Sequence, residues 1–140
     1  MKEGRWLRVL RRSAFRLPRH PASVGLARHR VRDHLAVWGH TGPADALDIA
    51  ILLVSELATN AVRHGPVRER EFEVAVTVLA DGSCFIEVSD ASSADPEVRP
   101  PRTVDDENGR GLHLVDALAE AWGVWHRGRY GKTVWALVRA

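Results

Sequence analysis

A single cysteine among 140 residues rules out an internal disulfide framework and any cysteine-rich zinc site, and it suits a reducing cytoplasm. No apolar run approaches the roughly eighteen residues that a membrane span needs. Arg8 splits Trp6-Leu7 from Val9-Leu10, so the head lacks the apolar core of a signal peptide. There is no low-complexity tract, no internal repeat and no domain linker. The seven histidines show neither HExxH nor paired metal spacing. Gly131-Lys132-Thr133 looks like the end of a phosphate-binding P-loop, but position 126 is His126 where that motif needs glycine, and a strand follows instead of a helix. Ser55, His64 and Asp90 have no nucleophile elbow around them, which excludes a hydrolase triad.

What remains is an ordinary globular composition, 45% hydrophobic and 27% charged, in a length that fits one compact domain. The net charge of +2 hides an asymmetry. Residues 1–32 hold ten basic residues and Glu3 alone, hence +9, whereas residues 33–140 hold ten basic and seventeen acidic, hence −7. The basic head carries no nucleic-acid-binding motif, and the five tryptophans do not interleave with basic residues as a base-stacking platform would. The head reads as a solvated or self-docking extension over residues 1–13, followed by one domain over 14–140.

The pattern along the chain predicts a short strand around Ala14–Leu17 and a helix from Pro21 to Gly39 on Val24, Ala27, Val31, Leu35 and Trp38. A second helix runs from about Pro43 to His64, stopped by Gly65-Pro66. The period then becomes two. Phe72, Val74, Val76 and Val78 face one way, Asp81-Gly82 turns the chain, and Cys84, Ile86 and Val88 return. Residues 91–110 have no hydrophobic period and suggest a functional loop or lid. A helix over Gly111–Ala121 and a hairpin of Val124–Arg127 with Lys132–Val138 complete an α+β layer. Its sheet is largely antiparallel, has about five strands, and carries helices on one face.

Polarity breaks this pattern in three places. In the second helix, Leu47, Ala50, Val54, Leu57 and Ala61 form an apolar stripe, with Ile49, Leu52 and Leu53 as a second flank. Glu56, Asn60 and Arg63 continue that flank. Glu56 and Asn60 lie one turn apart. They are either routine surface polars on a helix edge or a site in which Asn60 offers an oxygen to a hard cation such as Mg2+ and Glu56 acts as a base. Strand parity sends the Asp90 carboxylate to the helix-facing side of the sheet. It is either a strand-end cap or an acceptor for the amino group of a nucleobase. Gly109-Arg110-Gly111-Leu112 stands at a helix entry, where backbone N–H groups and Arg110 suit an anion, or where a flexible entry suffices.

In order, these segments resemble the GHKL (Bergerat-fold) ATPases, and within them the anti-sigma factor/serine-protein kinase branch of actinobacterial type. The resemblance spans roughly residues 14–138. Ser55-Glu56-Leu57-Ala58-Thr59-Asn60-Ala61-Val62-Arg63-His64-Gly65 is similar to the family's N box. Val88-Ser89-Asp90 looks like the start of its first glycine box, although Ala91-Ser92-Ser93-Ala94 follows without the box's glycines. Asp106–Val115, with Ala119 and Trp122-Gly123, resembles the second box. Gly131-Lys132-Thr133-Val134-Trp135 resembles the C-terminal strand motif.

The resemblance implies a two-layer α/β sandwich of the Bergerat type with an ATP lid. It implies ATP and Mg2+ as cofactors, with Asn60 as the Mg2+ ligand and Glu56 as the base that activates a serine hydroxyl. Asp90 would take the adenine amino group, and Arg63, Gly109, Arg110, Gly111 and Leu112 would border the nucleotide. Thr133 would lie near the adenine. An acidic body around such a site needs Mg2+ and groups such as Arg63, Arg110 and Lys132 to offset phosphate charge. The implied protein is a cytoplasmic homodimer that sequesters a sigma factor and phosphorylates an anti-anti-sigma antagonist of the STAS type. It makes no direct contact with nucleic acid or membrane. The alternative is a catalytically weak ATP-binding module of the same fold that acts by sequestration.

Overall fold

The computed structural model describes residues 8–39, 44–64, 71–90, 107–128 and 131–139. The elements in chain order are β1 (Val9–Pro18), α1 (Ala22–Val37), α2 (Ala44–His64), β2 (Glu71–Leu79), β3 (Cys84–Asp90), α3 (Glu107–Leu118), β4 (Ala121–His126) and β5 (Lys132–Val138). The five strands form one sheet in the order β1-β2-β3-β5-β4, every neighbouring pair antiparallel. The helices pack on one face of it, so the α+β two-layer expectation holds. Among the described residues no helix is long and apolar enough to cross a membrane.

Alternation builds the core. Val74, Val76 and Val78 of β2, Ile86 and Val88 of β3, and Val134, Ala136 and Val138 of β5 are buried beneath the helices. Ala27, Val31 and Leu35 of α1 and Ala50, Leu53, Val54, Leu57, Ala58 and Ala61 of α2 close over them. Each large side chain buried this fully contributes about 1.5–3 kcal/mol. Leu52, expected on the second apolar flank of α2, is instead exposed. Ile51 and Ala58 take the burial that a strict stripe does not assign them.

The Asp81-Gly82 turn forms as the sequence suggests. Gly82 takes φ 88°, and the Asp81 carboxylate accepts from the backbone N–H of Ser83 at 2.9 Å. That bond helps hold the Asp81 carboxyl below its ordinary pKa, although desolvation is the largest single influence and acts upward.

Three elements differ in their bounds from the sequence reading. β1 runs from Val9 to Pro18 instead of covering only Ala14–Leu17, because its backbone pairs with β2 over that whole span; on it Arg12 lies 3.8 Å from Glu87 and Arg16 3.8 Å from Glu73. The last helix begins at Glu107, four residues before the expected Gly111. It ends at Leu118 instead of Ala121, because Glu120 N–H turns to the Leu137 carbonyl at 2.9 Å and Ala121 opens β4. β4 accordingly covers Ala121–His126, where the sequence suggested Val124–Arg127.

Candidate nucleotide site at one end of the sheet

Strand register defines the end of the sheet that matters. Pro18, the last residue of β1, pairs with Glu71, the first of β2. Glu73 pairs with Ser89 near the end of β3, and Asp90 pairs with Lys132, the first residue of β5. The C-terminal turn of α2 is tied to this same end. Arg19, one residue beyond β1, donates from Nε to the Ala61 carbonyl at 3.2 Å and from its terminal nitrogen to the Val62 carbonyl at 2.7 Å. These are last-turn carbonyls that the helix itself leaves unpaired, and a guanidinium there also opposes the negative helix end. The N-box turn of α2 and the Asp90 end of β3 therefore belong to one end of the molecule.

Asp90 continues the helix-facing row of Ile86 and Val88, and its side chain is almost wholly buried, as parity predicts. Its partner was not foreseen. Lys132 Nζ lies 3.2 Å from one carboxylate oxygen of Asp90 and 3.4 Å from the other. The lysine and carboxylate side chains are only 1% and 2% exposed. Lys132 is thus committed to Asp90, which corrects its reading as a cation that offsets phosphate charge. Parity along β5 carried the missed signal: Lys132 shares a face with Val134 and Ala136, and its cross-strand partner is Asp90.

The same parity separates Thr133 from this pair. Its hydroxyl lies 2.7 Å from Ser89 Oγ, on the face of the sheet that turns away from the helices. The structure does not bring the Thr133 hydroxyl together with the Asp90 carboxylate.

On α2, Asn60 is buried with 8% exposure, while Glu56 is half-buried one turn earlier and Arg63 is exposed. The residues on the outer side make ordinary helix contacts. Thr59 Oγ1 donates to the Ser55 carbonyl at 2.8 Å, and Arg28 donates to Ser55 Oγ at 3.0 Å. Gly109, Arg110, Gly111 and Leu112 lie inside the first turns of α3 and not ahead of it. The Arg110 and Leu112 side chains fall outside the described residues, as do Gly65 and the whole of 91–106, including the Ala91-Ser92-Ser93-Ala94 departure and the expected lid. α3 packs against α2, with Val115 fully buried between them and the sheet.

The donor set at this end fits Mg2+ held largely through a nucleotide. Among the described residues no group of three or more His, Cys, Asp or Glu side chains converges as a self-sufficient metal cage. Mg2+ keeps most of its ligands as waters and phosphate oxygens and needs only one or two from protein, for which the buried Asn60 amide oxygen qualifies.

Comparison with known proteins identifies the family and the fold. The family model described as a histidine kinase-like ATPase domain matches residues 17–138. The chain therefore belongs to the family of histidine kinase-like ATPase domains, which places it among the ATP-binding folds of GHKL type. An uncharacterized protein of Streptomyces coelicolor, SCO4941, is 46% identical over 56 residues, a match that covers 39% of this chain and 53% of that protein. The chain thus aligns with about half the length of this curated relative. Among solved structures, the RsbU and RsbW domains of Rv1364c from Mycobacterium tuberculosis superpose with a TM-score of 0.69 at 20% identity, covering 93% of this chain and 32% of that one. The histidine kinase domain of the blue-light activated histidine kinase from Erythrobacter litoralis EL346 gives 0.51 at 20% identity, covering 88% and 61%. At such identities these structures establish the shared fold.

Proposed function

We propose that the chain is an ATP-binding anti-sigma factor with serine/threonine-protein kinase activity, which sequesters a sigma factor and phosphorylates an anti-anti-sigma antagonist of the STAS type. The observation that carries the nucleotide part is Asp90: an almost fully buried carboxylate on the helix-facing side of the sheet, at the end where the Glu56–Asn60 turn lies. The regulatory part rests on the N-box sequence Ser55–Gly65 and its likeness to the anti-sigma kinase branch.

In this reading Asp90 accepts the adenine amino group. Gly109, Arg110, Gly111 and Leu112 border the phosphates at the start of α3, together with Arg63, and Thr133 supports the base-binding end of β5. Glu56 takes the proton from the attacking serine hydroxyl. Asn60 is the residue that would hold Mg2+, which when bound neutralises phosphate charge in a reaction that depends mainly on positioning. The working state is a cytoplasmic homodimer, and the sheet begins at Val9, so residues 9–13, expected in a basic extension, belong to the domain.

A second reading is a module of the same fold that binds nucleotide with little transfer and regulates by sequestration. The feature behind it is the Ala91-Ser92-Ser93-Ala94 sequence after Asp90, which lacks the glycines of the family's first box.

Incubating the purified protein with labelled Mg-ATP and candidate STAS-domain proteins separates the two. Label on the cognate antagonist, lost in Glu56→Ala while ATP binding persists, supports the kinase. Binding without transfer supports the module, and transfer by Glu56→Ala at the wild-type rate removes Glu56 from the role of base.

A further inference from the structure

β1 and β4 are the edge strands of the sheet, and β1 is the longer, with ten residues against six. β1 pairs with β2 along one side, and among the described residues no strand pairs with its other side. From Arg11 to Leu17 its register is unbroken, and the stretch contains neither proline nor glycine. Alternate backbone N–H and C=O groups there point outward, a template on which an extended chain adds as a further strand.

Charge selects what can add there. Residues 8–38 hold eight arginines against Asp33 alone. Arg12 and Arg16 stand on the open face of the sheet on either side of Ala14, which is exposed and too short to obstruct the edge. Arg11 stands on the helix side, where Arg30 of α1 lies 5.2 Å over the Phe15 ring. Arg12 and Arg16 approach Glu87 and Glu73 only to 3.8 Å, and their side chains remain 49% and 69% exposed. Arg8, Arg11 and Arg32 are exposed and meet no carboxylate among the described residues. A second copy adding edge to edge would set β1 against β1 and arginine beside arginine, and like charges opposite one another destabilise a ladder. A nucleic-acid backbone answers the charge but has no alternating N–H and C=O groups with which to pair the edge.

The geometry points to β1 as a docking edge for an acidic, extended segment of a partner protein, which adds to the sheet as a sixth strand. Side chains on one face recur every two residues, so Arg12 and Arg16 match carboxylates four residues apart, with a small or β-branched residue between them opposite Ala14. On the helix side an apolar residue fits opposite Phe15. ATP takes no part in this contact, so the nucleotide reading stands or falls separately.

The probe is a blocked, fluorescein-labelled peptide of β-branched residues with glutamates four apart, long enough to span Arg11–Pro18. It should bind the full chain with an affinity that falls as ionic strength rises, and β1 amides should gain protection against hydrogen exchange. N-methylation of alternate peptide residues removes the donors of one strand edge and keeps the charge. Methylation in one frame should abolish binding, and in the other frame it should be tolerated. Arg12→Gln/Arg16→Gln should bind about tenfold more weakly, the scale of two cross-strand charge pairs, and Arg12→Lys/Arg16→Lys should recover most of the loss. The methylated peptides act on the wild-type protein, so the test stands even where a variant is destabilised. Equal binding of both methylated frames overturns the inference, because charge alone then explains the contact. So does equal binding of a peptide with lysines in place of the glutamates. Tighter binding of oligothymidylate than of the acidic peptide assigns the arginines to nucleic acid, and protection of β1 amides that rises with protein concentration alone assigns the edge to a second copy; either result overturns it.

Discussion

Ser89 and Thr133 share a 2.7 Å hydrogen bond on the face of the sheet opposite the helices, one residue away on each strand from the Asp90–Lys132 pair on the other face. The alternation of a strand thus divides the Ser89-Asp90 and Lys132-Thr133 dipeptides between two environments. Replacing Thr133 with valine keeps its shape and β-branching and removes the hydroxyl. It should lower stability by about 1 kcal/mol through the lost bond and change ATP affinity less than about threefold. Thermal denaturation and equilibrium nucleotide binding measure the two effects. A loss of affinity of about tenfold or more would put the hydroxyl back at the base.

Arg19 offers a second test. Its bonds to the Ala61 and Val62 carbonyls secure the turn of α2 that carries Asn60. Arg19→Met retains much of the stem but neither hydrogen bond, and should destabilise the protein by about 1–2 kcal/mol. Protection of the backbone amides in the last turn of α2 against hydrogen exchange should fall more than that of the β2 amides. Equal loss in both would show that Arg19 supports the fold globally and does not act on the helix end.

The parts of this structure that sequence makes legible are those in which one physical signal dominates. The β2–β3 hairpin declares itself through strict alternation and an Asp-Gly turn, and Asp90's burial follows from counting by twos along β3. β1 is less visible because Arg11, Arg12 and Arg16 interrupt its apolar alternation. All three belong to an edge strand, and two of them, Arg12 and Arg16, pair with Glu87 and Glu73 across the open face. The start of α3 is invisible because Glu107-Asn108-Gly109-Arg110 has no period and contains glycine, a poor helix former. The motif itself conceals Lys132. Gly131-Lys132-Thr133 invites a phosphate reading, whereas its role is set by cross-strand register, a long-range fact that local pattern does not contain.

Gly123 has a steric reason to be glycine. A Cβ there would stand 2.8 Å from Trp135 Cζ2 and 3.0 Å from Cε2 and Nε1, across the β4–β5 pair. Trp135 also belongs to a cluster with Phe85 and Trp125, at centroid separations of 5.5 and 5.6 Å. Gly123→Ala should therefore push the indole and disturb all three rings, at about 1–3 kcal/mol. Tryptophan fluorescence should shift in the folded protein, and chemical denaturation should report the loss. The Trp135 indole N–H is buried without a hydrogen-bond partner among the described residues, so Trp135→Phe should cost less than ring truncation usually does. Alanine at 123 that leaves both fluorescence and stability unchanged would mean that β4 shifts freely against β5.

Cys84 links the core to pH. The residue is 3% exposed at the start of β3, and burial pushes its thiol from an ordinary 9.0 up to about 11. A raised thiol pKa means that the fold favours the neutral form. The associated stability is complete below about pH 9 and is lost as pH rises from there toward 11, where the unfolded chain ionises and the folded one does not. The whole effect is on the order of 2–3 kcal/mol. Cys84→Ala should be less stable than the wild type at pH 7, because it leaves a small cavity, and should decline less steeply between pH 9 and 11. Denaturant midpoints at several alkaline pH values measure the two slopes. Parallel slopes would show that the thiol ionises as readily inside the fold as outside it, and rapid modification of the native protein by a thiol reagent at pH 8 would carry the same message.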